Sequence, residues 1–377
     1  MKYIGVMSGT SLDGIDATLI DVPDNNHMPL KVQVLGHDFI EWEPSVRQEL
    51  LALADGTPFP APSILRLSQS VSEAYVTVIV RLLQQRETEP GEIEAVGMHG
   101  QTVWHQPPEP GRLGFSWQLG SPSWVANRTR VTTVGDFRLS DLALGGHGAP
   151  LAPYAHRLMF YDPSRVVAVL NIGGISNVTL IDPDPSRPPV ASDLGPGNMI
   201  IDALSAHYSD GLLKMDRGGR MAAAGALDAA LLDTLLRDPF FAKRPPKSTG
   251  RELFGTRYLE KFKHLAPLDA ITTASWLTVS SITQGTTCLG SPHVLYVAGG
   301  GAKNPWILGR LQEAFKDIPV RTTASLGIAV DQVETIAFAL LARATMRKEP
   351  ANCPSVTGAQ RSAILGTVAA VGPGPVL

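Results

Sequence analysis

Residues 2–22, KYIGVMSGTSLDGIDATLIDV, and residues 166–182, VVAVLNIGGISNVTLID, decide the fold. In the first stretch, an apolar strand from Tyr3 to Met7 meets a glycine-bounded turn and returns as a second strand from Ile15 to Val22. In the second, Val166 to Leu170 and Val178 to Ile181 flank Gly173 and Gly174 in the same way. A long-period duplication of strand, glycine turn and strand predicts two similar lobes, each opening with a β-hairpin. Pseudo-twofold symmetry would bring both turns to one cleft.

Working outward, apolar residues at Ile64, Leu67, Val71, Tyr75, Val78, Ile79 and Leu82 recur every three or four positions, which predicts an amphipathic helix over 63–86. Ile93 to Met98 reads as a strand leading to a polar turn, HGQT, at His99 to Thr102. Further on, 222–236, 306–315 and 331–347 read as helices, and Val294 to Ala298 as a strand running into Gly299, Gly300 and Gly301. The uncharged run Ile271 to Pro292 carries too many Ser and Thr residues to span a membrane, and most of it reads as a buried helix. The expected division is an N-terminal lobe over 1–133, joined by 351–377 returning to it, and a C-terminal lobe over 134–350.

The 377 residues suit two domains, and 44% hydrophobic with 18% charged residues can build proper cores. A net charge of -3 gives no basic footprint for nucleic acid or an anionic membrane, so the expected partners are small molecules. Cys288 and Cys353 form neither a disulfide framework nor a metal-spaced cluster, which fits a reducing cytoplasm. The five-residue apolar stretch before Asp13 and Asp16 is too short for a signal-peptide core.

Several segments can carry chemistry. MSGTSLDG, Met7 to Gly14, combines close-approach glycines with hydroxyls at Ser8, Thr10 and Ser11 and a carboxylate at Asp13. It can present N–H groups to a phosphate while Asp13 holds a magnesium-bound water, or it can be a plain tight turn. NIGGISN, Asn171 to Asn177, offers a second phosphate a surface without side chains, or a bulged hairpin. AGGGAKN, Ala298 to Asn304, can lie against a flat adenine or simply connect strand to helix. No GxxxxGK[ST] or strict GxGxxG occurs, so P-loop and Rossmann readings lack support. Asp193, beside the stiff turn Gly195-Pro196-Gly197, is either a cap of the following helix or a general base. Asp136, Arg138, Asp141 and His147 can bind sugar hydroxyls or a carboxylate, or form a salt-bridged loop. His99 and His105 lack zinc-site spacing, leaving a sugar contact or a satisfied turn histidine.

Together these segments resemble the anhydro-N-acetylmuramic acid kinases. The matching blocks, in family order, are IGVMSGTSLDGID, GMHGQTVWHQP, VGDFRLSDLALGGHGAPL, VLNIGGISNVTL, DLGPGNMIIDA, PPKSTGREL, VAGGGAKNP, VETIAFALLA and NCPSVTGA, covering Ile4 to Ala359. Any one is generic, whereas nine in order are specific. The resemblance implies the hexokinase and actin superfamily: an α/β protein of two RNase H-like lobes, with mixed sheets flanked by helices and a central cleft for ATP and sugar.

By motif position it implies that Gly9, Thr10, Ser11, Leu12, Asp13, Gly14, Ile15 and Asp16 form the first phosphate element, and that Gly173, Gly174 and Asn177 belong to the second. Gly299, Gly300, Gly301 and Asn304 would flank adenosine. Asp193 would be the catalytic base. His99, Gln101, Asp136, Arg138, Asp141, Gly195 and Asn198 would contact the sugar, and Glu334 would sit near Mg2+, directly or through water. Lys247, Thr249 and Arg251 match an element whose expected role is cleft closure or phosphate contact. The implied reaction opens 1,6-anhydro-N-acetylmuramic acid with water and phosphorylates O6, giving N-acetylmuramic acid 6-phosphate and ADP in cell-wall recycling; a homodimer is also implied. Departures are WQLG at Trp117 to Gly120, where relatives often read LQIG, and Leu194, where Thr or Cys is common. A levoglucosan or other hexose kinase is the rival reading, distinguished by which sugar stimulates ADP release. An actin-like ATP switch would turn over ATP without sugar.

Overall fold

The computed structural model describes residues 1–9 and 12–372, without the side chains of Arg251, Glu252 and Thr256. Thr10 and Ser11 of the first turn, and the Arg251 side chain, therefore lie outside the described residues. The chain divides into two units, Met1–Met159 with the segment from Glu334 onward, and Phe160–Val333.

In the first unit the strands are β1 (Lys2–Met7), β2 (Gly14–Asp21), β3 (Gln33–Glu41), β4 (Ile93–His99), β5 (Gln101–Gln106), β6 (Phe115–Leu119) and β7 (Thr133–Gly135). The second unit holds β8 (Val167–Ile172), β9 (Ile175–Ile181), β10 (Val190–Pro196), β11 (Val294–Ala298) and β12 (Val320–Thr322), after which β13 (Thr367–Ala369) completes the first. The first sheet runs β13-β7-β4-β1-β2-β3 and the second β10-β9-β8-β11-β12, with a separate β5-β6 ribbon. Each unit's opening strand lies centrally, antiparallel to the hairpin partner on one side and parallel to a later strand on the other. In both units, the third strand closes the hairpin side as an antiparallel neighbour. The same RNase H-like order thus occurs twice, as the duplicated hairpins led us to expect.

A parallel neighbour needs a crossover, and a helix supplies it in both units. Between β3 and β4 it is Ala61–Gln85, whose buried stripe of Leu67, Val71, Tyr75, Val78, Ile79 and Leu82 follows the helical period. Between β10 and β11 it is Pro267–Leu289. Its Thr272, Ser275 and Thr283 hydroxyls bond back to carbonyls of their own helix, so a Ser- and Thr-rich run can be buried beside Ile271, Leu277 and Ile282. No helix among the described residues is long and apolar enough to cross a membrane.

Two expectations are corrected. The helix expected over 222–236 is two helices, Arg220–Ala224 and Ala229–Leu236. At the break, a Cβ on Gly225 would lie 2.3 Å from the Leu268 carbonyl oxygen, and Asp228 caps the second helix by accepting from Leu231 N. The unit boundary falls at Met159 rather than 133 because β7 pairs with both β4 and β13, holding the following residues to the first sheet. The helix Val333–Met346 also belongs there. It crosses β1 and β4 where Gly5 and Gly97 leave room, since a Cβ on either would lie within 2.0 Å of a helix carbonyl oxygen.

Candidate active site

In the first unit the hairpin turn is pinned from beneath. Ser8 Oγ lies 2.8 Å from the Gly14 carbonyl oxygen and 2.6 Å from Gln101 Oε1, and it accepts from Trp42 Nε1. Arg47 Nε donates to the Leu12 carbonyl, and Leu12 holds a left-handed φ of 55° with its side chain buried. Asp13 is left exposed at the tip. Leu12 and Ile15 face the core, so only their backbone is available to a ligand. Gln101, expected on the sugar side, is buried and engaged with Ser8, making it a support of the turn.

Asp16 lies opposite Met7 in the hairpin, with His37 Nε2 at 3.5 Å. Two residues on, Thr18 Oγ1 is 2.6 Å from Thr335 Oγ1, and this contact sets the start of Val333–Met346, with its exposed Glu334, beside β2. Asp13 and Glu334 offer oxygen donors only, the chemistry that suits a hard divalent cation completed by water and phosphate oxygens.

A second group in this unit gathers on β4, β6 and the helix Phe137–Leu142. Arg138 donates from Nη2 to His99 Nε2 at 2.8 Å and from Nη1 to the Gly148 carbonyl. Accepting at Nε2 makes His99 neutral with its proton on Nδ1. Burial and then Arg138 hold its pKa well below the ordinary value, while burial lowers Arg138 to about 10, opposed by Glu334. Gln118 Nε2 lies 2.8 Å from the same His99 nitrogen and donates to Thr102 Oγ1. His105 is pushed down to about 4, mainly by burial. Asp136 is half-buried at a left-handed φ of 56°, and burial raises its carboxyl. Asp141 is corrected: it is wholly buried and accepts from Gly148 N, Asn352 Nδ2 and Thr357 Oγ1, so it braces the GGHG loop against the C-terminal NCPSVTG segment.

In the second unit three separate motifs converge at one end of the sheet. The Gly173 carbonyl accepts from Asn198 N, and the Gly174 carbonyl from Gly197 N and Met199 N. A Cβ on Gly197 would lie 2.2 Å from the Gly173 oxygen, and one on Gly299 2.3 Å from Asn171 Oδ1. Close approach therefore demands glycine at both. Asp193 stands on β10 directly across from Asn177. Its Oδ2 accepts from Thr249 N at 2.9 Å, whereas the cap position of the following helix is taken by Asn198. The helix-cap alternative for Asp193 is therefore excluded.

Other residues are placed differently from expectation. Asn304 Oδ1 accepts from Trp306 N and Ile307 N, so it caps the helix Pro305–Ala314. Gly195 faces Phe241 and Ser281, each within 3.0 Å of a would-be Cβ, and Gly301 packs on Ile172; both serve packing, while Gly300 is exposed. Asn198 Nδ2 donates to the Ile172 carbonyl. Sequence reading missed Gln118 and the Thr249 N–H. Gln118 was visible only as a polar residue between Trp117 and Leu119, and a backbone donor leaves no mark in sequence.

Comparison with known proteins gives the family. The family model for anhydro-N-acetylmuramic acid kinase matches residues 1–371. The anhydro-N-acetylmuramic acid kinase of Coxiella burnetii is 38% identical over 379 residues, covering 97% of each chain. That of Salinibacter ruber is 39% identical, covering 98% of this chain and 96% of its own. That of Synechococcus elongatus is 38% identical, with coverages of 98% and 99%. The duplicated α/β fold with its paired glycine turns is thus that of a kinase. More narrowly, the chain belongs to the anhydro-N-acetylmuramic acid kinase family.

Proposed function

We propose that the chain uses ATP and water to open the bridge of 1,6-anhydro-N-acetylmuramic acid and to phosphorylate O6, as a step of cell-wall recycling. The observation that carries the proposal is the Asp193 carboxylate, oriented by Thr249 N on a strand whose continuing turn packs directly on the Gly173-Gly174 turn.

Asp193 removes a proton from water as its oxygen bonds to C1 and the C1–O6 bond breaks. The released O6 bonds to the γ-phosphorus as the bond to the ADP oxygen breaks. Backbone N–H groups of Gly9, Asp13 and Gly14 and the Gly173-Gly174 turn are assigned to phosphate oxygens, and Gly299 and Gly300 to the adenosine. Asp13 and Glu334 would hold magnesium, which when bound offsets phosphate charge. His99, Arg138, Gln118 and Asp136 are assigned to the sugar. Arg138, whose Nε is buried without a hydrogen-bond partner among the described residues, suits a carboxylate such as the lactyl group.

A coupled ADP assay with a panel of anhydro and free sugars tests the substrate. Stimulation by the anhydro amino sugar far above levoglucosan and glucose is expected; the reverse order would assign a levoglucosan or hexose kinase instead. In ¹⁸O-water, label is expected on C1 in step with ADP and absent from the phosphate ester.

A further inference from the structure

The segment Pro245–Gly250 plays no part in the steps above, yet it touches the carboxylate on which they depend. It runs beside the end of β10, where the pairing register slips between Asp193 and Gly195. Asp193 N donates to the Lys247 carbonyl at 3.0 Å, Lys247 N donates to Ser192 Oγ at 3.1 Å, and Thr249 N donates to Asp193 Oδ2 at 2.9 Å. The segment therefore takes the place of a paired strand along this edge and supplies a hydrogen bond to the carboxylate.

A loop of this composition has no sheet of its own to hold it, and its anchor is the Lys247 side chain. The ammonium donates to the carbonyls of Phe240 at 2.9 Å and Phe241 at 3.2 Å, and sits 4.4 Å from the centre of the Phe240 ring. That ring is buried and packs edge-on against Phe254, so the anchor point is rigid. Phe241 in turn borders Gly195, just beyond Asp193. A flexible four-carbon stem with two carbonyl bonds and a ring contact is thus fixed at both ends.

We infer that Lys247 is a positioning residue for the reaction: its ammonium fixes residues 247–249 so that Thr249 N–H holds one oxygen of Asp193 in the reactive orientation. This rests on the reading of Asp193 as the base. A carboxylate at a slipped strand end turns about its side-chain bonds unless a donor fixes it, and small displacements of a reacting group cost up to about 10²-fold in rate. Lys247 acts through the backbone, its ammonium being held by the Phe240 and Phe241 carbonyls.

Steady-state kinetics of the full chain with ATP and 1,6-anhydro-N-acetylmuramic acid test this. Lys247→Met should lower kcat about 10- to 100-fold with both KM values within about twofold, because the loss falls on the transition state. Lys247→Arg, which reaches the same carbonyls, should recover most of it. Replacing Thr249 by its α-hydroxy acid analogue, which exchanges the N–H donor for an ester oxygen and leaves every side chain unchanged, should reproduce the loss with Lys247 intact. Asp193→Asn serves as the control. If it is inactive while Lys247→Met and the Thr249 ester both keep wild-type kcat, the positioning role is overturned and the base stands. Full activity of Asp193→Asn would overturn the base itself. Should Lys247→Met fail to fold, the ester alone decides, unchanged kcat refuting the proposal.

Discussion

In the sequence Asp193 can be either a cap of the following helix or a general base, and the structure removes the cap, because Thr249 N–H reaches the carboxylate while Asn198 takes the cap position. Asparagine Oδ1 can still accept the bond from Thr249, though without the charge, so Asp193→Asn should leave ATP affinity by calorimetry unchanged while turnover falls about 10² to 10⁴-fold, as for loss of a general base. A different residue-scale effect attaches to His156, buried in the helix Ala152–Phe160 with its pKa pushed down to about 4. Its folded value lies below the unfolded value of about 6.5, so between the two the unfolded chain binds more protons. The stability contribution is complete above about pH 6.5 and is lost as pH falls toward 4. At about 1.4 kcal/mol per unit this approaches roughly 3 kcal/mol. Burial lowers His99 and His105 in the same direction, so the melting temperature should fall across that window. His156→Gln should flatten the fall in a pH series of thermal melts.

At the scale of elements, the three second-unit motifs meet through backbone contacts, and the glycines in them are not equivalent. Among the described residues an added Cβ at Gly173 meets nothing closer than 3.6 Å, whereas one at Gly197 would lie 2.2 Å from the Gly173 carbonyl oxygen. Gly173→Ala should therefore keep the wild-type melting temperature and weaken ATP binding. Gly197→Ala should lower stability by about 1 to 3 kcal/mol through overpacking, whatever its effect on ligands. Calorimetric ATP titrations beside urea unfolding separate the two outcomes. The strands that carry these motifs were legible because β-branched runs bounded by glycine mark them. The third strand of each sheet, β3 and β10, was not. Its apolar alternation is diluted by polar residues such as His37, Asp38, Ser192 and Asp193, and only pairing to the hairpin makes it a strand.

At the scale of the whole molecule, the first unit is built from two distant stretches of chain, and Asp141 ties them. It accepts from Asn352 and Thr357 of the returning segment, while β13 pairs with β7. Asp141→Ala would remove the shared acceptor of three buried donors, Gly148 N, Asn352 Nδ2 and the Thr357 hydroxyl, each loss costing about 1 to 3 kcal/mol. Chemical denaturation should show a loss of at least about 3 kcal/mol in total. A sugar-contact role for Asp141 would instead predict a raised sugar KM at wild-type stability.

Local pattern determined the two glycine hairpins, the long amphipathic helix and the ordered blocks that place the chain in its family, because each depends on residues adjacent in sequence or one helical turn apart. Tertiary structure alone decided that Gln101 supports Ser8, that Gly195 serves packing and that Lys247 anchors the strap beside Asp193. These assignments depend on which backbone or side-chain group another segment brings within hydrogen-bond or van der Waals distance, and chain spacing does not encode that.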